Sequence, residues 1–280
     1  MGFSAINNIS ALTAKRSLGM TQNMMDRTLG RLATGLRINR ASDDAAGLAI
    51  SSGLRGDIRA MQQGIRNAHD GISYVQVTEG ALEEINTILT RMKELAEQGA
   101  SDTTGVDDAS EKEALQAEVG ELLEEIDRIN AATNFNGRSV LQDESIDVQI
   151  GITNGTESQI NIDTGGATGL DVTTANLSID TLDVSNKSGA LSALDAVDTA
   201  IDTIASLRGD LGATQSRLES GARNQANVLE NVIAAESRIR DADIASEVVN
   251  LTKSQILSQS GMSALAQANG QAQSVLSLLG

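Results

Sequence analysis

The chain has 280 residues, with no proline, no cysteine, one tyrosine, two phenylalanines and a formal net charge of −17. A chain without cysteine cannot form disulfides, thiolate zinc sites or cysteine nucleophiles, and a chain without proline favours long unbroken helices. The acidic residues lie mostly in the middle of the chain, which predicts a solvated exterior and argues against nucleic-acid binding, since that needs clustered positive charge.

The first predicted element is a helix with a heptad seam. Its apolar residues follow one another at spacings of seven, four, three and four: Leu18, Met25, Leu29, Leu32 and Leu36. Such spacing is typical of a coiled coil. The pattern stops near Asn39, and Ser42-Asp43-Asp44 then predicts the N-cap of a second helix, with acidic residues in its first turn.

Two amphipathic helices follow. The first is expected to reach about Ala100, with one apolar stripe formed by Leu82, Ile85, Leu89, Met92 and Ala96. A loop is predicted over residues 99–108, because this run is rich in Gly, Asp, Ser and Thr. The next helix ends near Asn134-Phe135-Asn136-Gly137, and its stripe consists of Leu115, Val119, Leu122, Ile126 and Ile129.

The period changes to two in the middle of the chain. Apolar residues alternate strictly from Ile146 to Ile152 and again at Ile160 and Ile162, and Asn154-Gly155 between the two runs predicts the turn of a β-hairpin. The flank from Thr164 to Asn186 is rich in Gly, Thr, Asp and Asn and is expected to form short strands and loops.

The heptad returns from about Ser188 and is sustained to Ile239. Ten of its fourteen core positions between 194 and 239 are Leu, Val, Ile or Ala, which indicates a coiled coil. The uncharged tail, residues 254–280, repeats the pattern weakly through Met262, Leu265, Ala272, Leu276 and Leu279. The tail is too rich in Ser, Gln and Asn to insert into a membrane.

Both ends of the chain therefore carry seams with no partner nearby in sequence. We expect these assembly seams to pair with each other and with neighbouring molecules. Without such partners, the two ends bury too little area to offset their ordering entropy and are expected to be disordered until assembly. The predicted fold class is mainly α: a long-helix coiled-coil bundle with a small β-hairpin region.

The sequence offers no convergent set of catalytic residues. His69 is the only histidine, and Asp70 beside it points to a different helix face, so a structural histidine is the favoured interpretation. Asp43 and Asp44 are better explained by helix capping, and Asp107-Asp108 by a solvated loop. We predict no catalytic, metal or cofactor site, and no enzymatic activity.

Both ends of the chain carry recognisable motifs. Residues 39–50, NRASDDAAGLAI, and residues 65–73, IRNAHDGIS, resemble the N-terminal signature of the bacterial flagellins. Residues 237–243, SRIRDAD, and residues 265–269, LAQAN, resemble the C-terminal pattern of the same family. Because so few residues separate the matching ends, the resemblance implies a short form without large outer domains.

The resemblance also implies a domain order. Residues 1–42 and 240–280 would form the inner coiled-coil domain, residues 43–141 and 188–239 the outer helical domain, and residues 142–187 its β-hairpin or variable region. The implied function is that of a secreted structural subunit that assembles into the extracellular flagellar filament for swimming motility. Implied partners are further copies of the chain, an export chaperone, and the cap and junction proteins.

A host Toll-like receptor is a further partner that the resemblance implies, through a patch formed by Arg91, Leu95 and Glu118. Two alternatives to a filament subunit stay open. One is a hook-filament junction protein, which shares the terminal seams but does not propagate. The other is a secreted coiled-coil adhesin or immune ligand that acts as a monomer.

Overall fold

Five helices and four short strands make up the computed structural model, which describes residues 8–101, 109–142, 145–162 and 172–277. The helices are α1 (Ile9–Thr34), α2 (Ala45–Ala100), α3 (Ala109–Ala132), α4 (Lys187–Arg240) and α5 (Ile244–Ser277). The strands are β1 (Asn134–Phe135), β2 (Arg138–Ser139), β3 (Ile146–Gln149) and β4 (Gln159–Ile162). The predicted fold class, mainly α with a small β region, is confirmed.

Local hydrogen bonds explain where α1 ends and α2 begins. Gly35 adopts a left-handed conformation with φ of 71° at the end of α1, where its amide donates to the Arg31 carbonyl. Asp44 is the N-cap of α2, as its Oδ1 accepts the Gly47 amide at 2.9 Å. Asp43 instead accepts the Arg40 amide at 3.0 Å, and this hydrogen bond lowers the pKa of its carboxyl group.

The chain divides into two compact units, which we describe separately. The terminal unit comprises residues 1–58 and 230–280, and the central unit comprises residues 59–229. Both division points fall inside helices, one in α2 and one in α4. The boundaries expected from the sequence, after residues 42 and 239, instead mark helix ends, and their domain scheme stays a prediction.

The hydrophobic core lies in the central unit. The predicted α2 stripe is fully buried, from Leu82 at 0% to Ala96 at 1% exposure. In α4 the buried side chains recur at intervals of seven residues, at Val197, Ile204, Leu211 and Leu218. Every heptad position predicted between 194 and 239 is at least partly buried, so these long helices pack along the seams that the sequence indicates.

The predicted β-hairpin is present, and Asn154-Gly155 lies within its connection, which is longer than a tight turn. β3 and β4 pair antiparallel, with Ile146 opposite Ile162 and Gln149 opposite Gln159. The connection therefore runs from 150 to 158 and contains a turn of 3-10 helix at Thr156–Ser158. Asn154-Gly155 does not form a tight turn, because β3 ends at Gln149. Ile150, the next residue, packs against Gly64 of α2.

A second Asn-Gly pair, Asn136-Gly137, forms a tight turn between β1 and β2. Asn136 and Gly137 have φ angles of 52° and 81° and join β1 to β2, two paired residues on each side. Two consecutive positive φ angles are the signature of a type I′ turn. The residue pattern around this dipeptide predicts only the end of a helix.

The segment before α4 is held by side-chain hydrogen bonds rather than by strands. Within residues 172–186, the described part of the flank, the structure has turns and no strand. Asp127 of α3 accepts both the amide and the hydroxyl of Thr174 at 3.0 Å. The expected short strands are therefore absent from these residues, and the remainder of the predicted flank lies outside the described residues.

Candidate assembly surface

In the terminal unit, α1 and α5 pack against each other in antiparallel orientation. Three contacts set the register: Asn8 Nδ2 donates to the Ala268 carbonyl at 2.8 Å, Leu18 lies beside Gly261, and Arg31 pairs with Glu247. The two ends of the chain thus meet, as their seams predict.

The faces that α1 and α5 turn inwards are periodic and mix apolar residues with small and polar ones. The least exposed residues of both helices alternate at spacings of three and four, the spacing of a coiled coil. On α1 they are Ala11, Ala14, Leu18, Thr21, Met25, Thr28 and Leu32. On α5 they are Glu247, Leu251, Ser254, Ser258, Gly261, Leu265 and Ala268.

A charged pair lies within this interior. Arg31 Nη1 lies 3.0 Å from Glu247 Oε1, and Glu247 is only 8% exposed. Thr21 and Thr28 are also buried, and each hydroxyl donates to a carbonyl one turn back in its own helix. Such contacts set the register of two helices but add little hydrophobic stabilisation.

Many large hydrophobic side chains of the terminal unit are exposed. Of the seventeen large hydrophobic residues that are exposed in the described part of the chain, thirteen belong to the terminal unit. The only buried one described there is Ile38. The thirteen, called the outer apolar face below, are Ile9, Leu12, Met20, Met24, Leu29, Ile50, Ile233, Ile244, Val248, Val249, Ile256, Leu257 and Met262. A surface this apolar marks a site of contact with other molecules.

The two units also differ in net charge. The terminal unit carries ten basic and nine acidic residues, whereas the central unit carries eleven basic and twenty-nine acidic residues. No charged residue follows Lys253. The outer apolar face therefore belongs to a nearly neutral unit, in which association carries little electrostatic repulsion.

The predicted seam residues divide between the two surfaces. Leu18, Met25, Leu32 and Leu265 belong to the inward-facing stripes and are partly buried. Leu29 and Met262 are 46% and 53% exposed and belong to the outer apolar face. Leu36 follows α1 and forms a backbone bridge with Asp241. The side chain of Leu276 and all of Leu279 lie outside the described residues.

Met262 lies outside the α1–α5 contact and its neighbour Gly261 lies inside it, so Met262 stays a predicted seam residue for contact with neighbouring molecules. The inward stripe of α5 contains Ser254, Ser258 and Gly261, which a search for apolar periodicity does not mark.

The predicted receptor patch lies in the central unit, on α2 and α3. Arg91 Nε and Nη2 donate to Glu118 Oε1 at 3.0 and 2.9 Å, and both side chains are about half exposed. Hydrogen bonds to Glu94 and then to Glu118 raise the pKa of Arg91. Leu95 is only 1% exposed and packs in the core, so including it in an exposed patch is wrong.

The residues weighed for catalysis do not converge. His69 is exposed on α2, so the expected structural role inside the protein is not supported. Across the described ranges, no group of three or more His, Asp or Glu side chains could hold a metal ion. No helix in those ranges has the length and apolarity needed to cross a membrane. Asp107 and Asp108 lie outside the described residues.

A helical pair that leaves many large hydrophobic residues exposed is typical of a subunit that packs against other molecules. The family model for the bacterial flagellin N-terminal helical region matches residues 6–145, and the model for the bacterial flagellin C-terminal helical region matches residues 194–279.

Individual relatives agree with these matches. The flagellin of Halalkalibacterium halodurans is 41% identical over 275 residues, covering 98% of each chain. The flagellin of Bacillus subtilis is 40% identical over 304 residues, also covering 98% of each chain. A crystal structure of Bacillus cereus flagellin has 29% identity and a TM-score of 0.48, covering 57% of this chain and 88% of that chain.

The chain therefore belongs to the bacterial flagellin family. It is a structural subunit of the flagellar filament.

Proposed function

We propose that this flagellin polymerises through its terminal unit, whose outer apolar face becomes buried between copies. The observation that carries the proposal is the exposure of that unit: among its described residues, thirteen large hydrophobic side chains are exposed and Ile38 is the only one that is fully buried. A soluble monomer gains nothing from this arrangement, whereas a polymer buries the exposed residues.

The size of the gain supports this role. Fully burying a Val, Leu, Ile or Met side chain contributes about 1.5–3 kcal/mol, and these residues are about half exposed. Burying the rest of each contributes about 1 kcal/mol, so the whole face contributes on the order of 10 kcal/mol. This amount is comparable with the cost of association, about 4–15 kcal/mol.

An open polymer follows if the face of one copy meets a different surface of the next. Such head-to-tail contacts produce helical filaments when the rotation between copies does not close a ring. The role is mechanical, with no catalytic step, and places the protein outside the cell in the flagellar filament.

The same face has consequences before assembly. A subunit with an exposed apolar face and an uncharged tail needs cover until it reaches the growing end. We therefore propose the partners that the family resemblance implies: an export chaperone that covers the C-terminal segment, a cap at the filament tip, and junction proteins at its base.

Seeded assembly tests the proposal. Purified protein is added to sonicated filament fragments and examined by negative-stain electron microscopy, beside a variant that ends before Ser254. Long filaments from the full chain and none from the shortened chain are expected. If the full chain fails to elongate seeds, it is a non-propagating junction-type subunit or a monomeric ligand.

Recognition by a host Toll-like receptor is a second proposed role, supported by the exposed pair Arg91 and Glu118. The buried position of Leu95 restricts the contact to the two charged residues. Arg91→Ala should reduce signalling in receptor-reporter cells. The matched control is Arg128→Ala on α3, because Arg128 is also exposed and pairs with Glu125 in the same way. Equal signalling by both variants would remove this patch from the receptor contact.

A further inference from the structure

Among the methionines that the structure describes, the exposed ones belong to the terminal unit and those of the central unit are buried. Met20, Met24 and Met262 are 55%, 49% and 53% exposed, and all three belong to the outer apolar face. Met61 and Met92 of the central unit are 5% and 1% exposed. Met25, on the inward stripe of α1, is partly buried. Exposure to a dissolved reagent is therefore concentrated on the proposed assembly surface.

Two of the three exposed methionines line one groove. Met20 and Met24 form a wall on α1, with Leu18 beside them, and Leu257 and Gly261 of α5 form the opposite wall. Gly261 has no side chain and leaves the groove shallow, so the thioethers are open to solvent. The lining also includes the polar residues Ser17, Thr21, Asn23 and Arg27.

We propose that Met20, Met24 and Met262 form an oxidation-sensitive modification site that controls assembly. This inference rests on the proposed role of the outer apolar face in polymerisation. Conversion of these residues to methionine sulfoxide blocks addition of the subunit to a filament, and reduction restores it. Once the subunit is assembled, neighbouring copies cover the three sulfur atoms and protect them.

The oxidant is a peroxide, and the reaction balances with hydrogen peroxide alone. The sulfur lone pair attacks one peroxide oxygen, the O–O bond breaks, and that oxygen is transferred to sulfur while the other leaves as water. Sulfur loses two electrons and the peroxide gains them. The product is a polar, chiral sulfoxide in place of a flexible apolar thioether.

The sulfoxide opposes assembly for a physical reason. Its oxygen is a hydrogen-bond acceptor, and burying a polar group without a partner is costly. The groove lining combines apolar Leu18 and Leu257 with polar side chains such as Asn23 and Arg27. The cost therefore arises from removing the solvated sulfoxide from water when a neighbouring copy covers it. Three such groups on one face should raise the critical concentration for elongation about tenfold or more.

Peptide mass spectrometry after limited peroxide treatment tests two points together: which methionines oxidise, and whether polymerisation protects them. In the monomer, Met20, Met24 and Met262 should oxidise faster than Met61 and Met92, which serve as internal controls. In filaments, oxidation of the same three residues should slow to the rate of the buried pair. Equal rates for all five in the monomer, or unchanged rates on polymerisation, would overturn the proposal.

Seeded elongation measures the effect on assembly. Untreated protein must elongate seeds first, which tests the proposed function separately. Oxidised protein should then show the raised critical concentration, and treatment with methionine sulfoxide reductases should reverse it. The matched control is the variant with Met20→Leu, Met24→Leu and Met262→Leu, which keeps the apolar volume and should elongate equally before and after peroxide. If untreated protein elongates and oxidised protein elongates equally well, the modification site is refuted while the assembly surface stands.

Discussion

Replacing Val249 and Ile256 of α5 by serine should weaken polymerisation without unfolding the subunit. These side chains are 66% and 59% exposed, the two largest exposures among the described hydrophobic residues of α5. Neither contributes to the core of the isolated chain. Serine and valine have similar helix propensities, so α5 itself should form as before.

The expected magnitude comes from the area still exposed. Burial of a whole Val or Ile side chain contributes about 2 kcal/mol, so the exposed part of each contributes about 1–1.5 kcal/mol when a neighbouring copy covers it. The double variant thus loses about 2–3 kcal/mol per added subunit. Since about 1.4 kcal/mol is a factor of ten, the critical concentration should rise about 30- to 140-fold.

The assay is the concentration of unpolymerised protein at equilibrium with filaments, measured after pelleting. The matched control is Leu191→Ser, which removes an equally apolar side chain that is 51% exposed but belongs to the central unit. The control should polymerise like the parent protein. An unchanged critical concentration for the double variant, or an equal rise for the control, would refute the assignment of the assembly surface to the terminal unit.

Three further predictions concern packing, register and folding on assembly. A Cβ on Gly64 would collide with the Ile150 carbonyl oxygen, whereas one on Gly80 meets nothing within 4 Å. Gly64→Ala should therefore lower the melting temperature. Gly80→Ala should raise it, because alanine stabilises a helix by about 1 kcal/mol relative to glycine; a rise in both would contradict the contact. Arg31→Met should raise the critical concentration by leaving the Glu247 carboxylate buried without its partner, at a cost of about 1–3 kcal/mol, and a double replacement with Glu247→Met should recover most of it. Circular dichroism should show a higher helix content in filaments than in monomers, because the terminal unit buries little apolar area alone; equal content would contradict folding on assembly.

Sequence periodicity predicts the central unit well because its seams are closed within the chain. The α2 stripe from Leu82 to Ala96 and the α4 positions Val197 to Leu218 are apolar and buried by one another. Here the residues that the pattern marks are the ones that the fold covers. Hydrophobicity and burial therefore agree.

The same reasoning fails for α5, for a physical reason. Hydrophobic patterns mark residues that some molecule will cover, and they do not say which molecule. Met262 is apolar and exposed, whereas Ser254 is polar and 6% exposed. The pairing of the two ends is predictable from their lack of other partners. The face of α5 that turns inwards is not predictable from the sequence, because its small residues allow the two helices to approach closely but give no apolar pattern.

Two local errors have equally specific causes. An Asn-Gly pair favours a tight turn wherever it occurs, and this chain has one at 136–137 and another at 154–155. Only the first has the positive φ angles that the turn requires. Leu95 shows the limit of a motif match, since identity to a receptor-binding pattern does not reveal that the side chain is 1% exposed.

The central claim is that neighbouring copies bury the outer apolar face. Because the chain contains no cysteine, single-cysteine variants can be labelled with a maleimide at one position only. Ile256→Cys should label readily in the monomer and slowly in the filament, whereas Leu191→Cys should label readily in both. Equal labelling of the Ile256→Cys variant before and after polymerisation would contradict the account, because the face would then remain open to solvent in the filament.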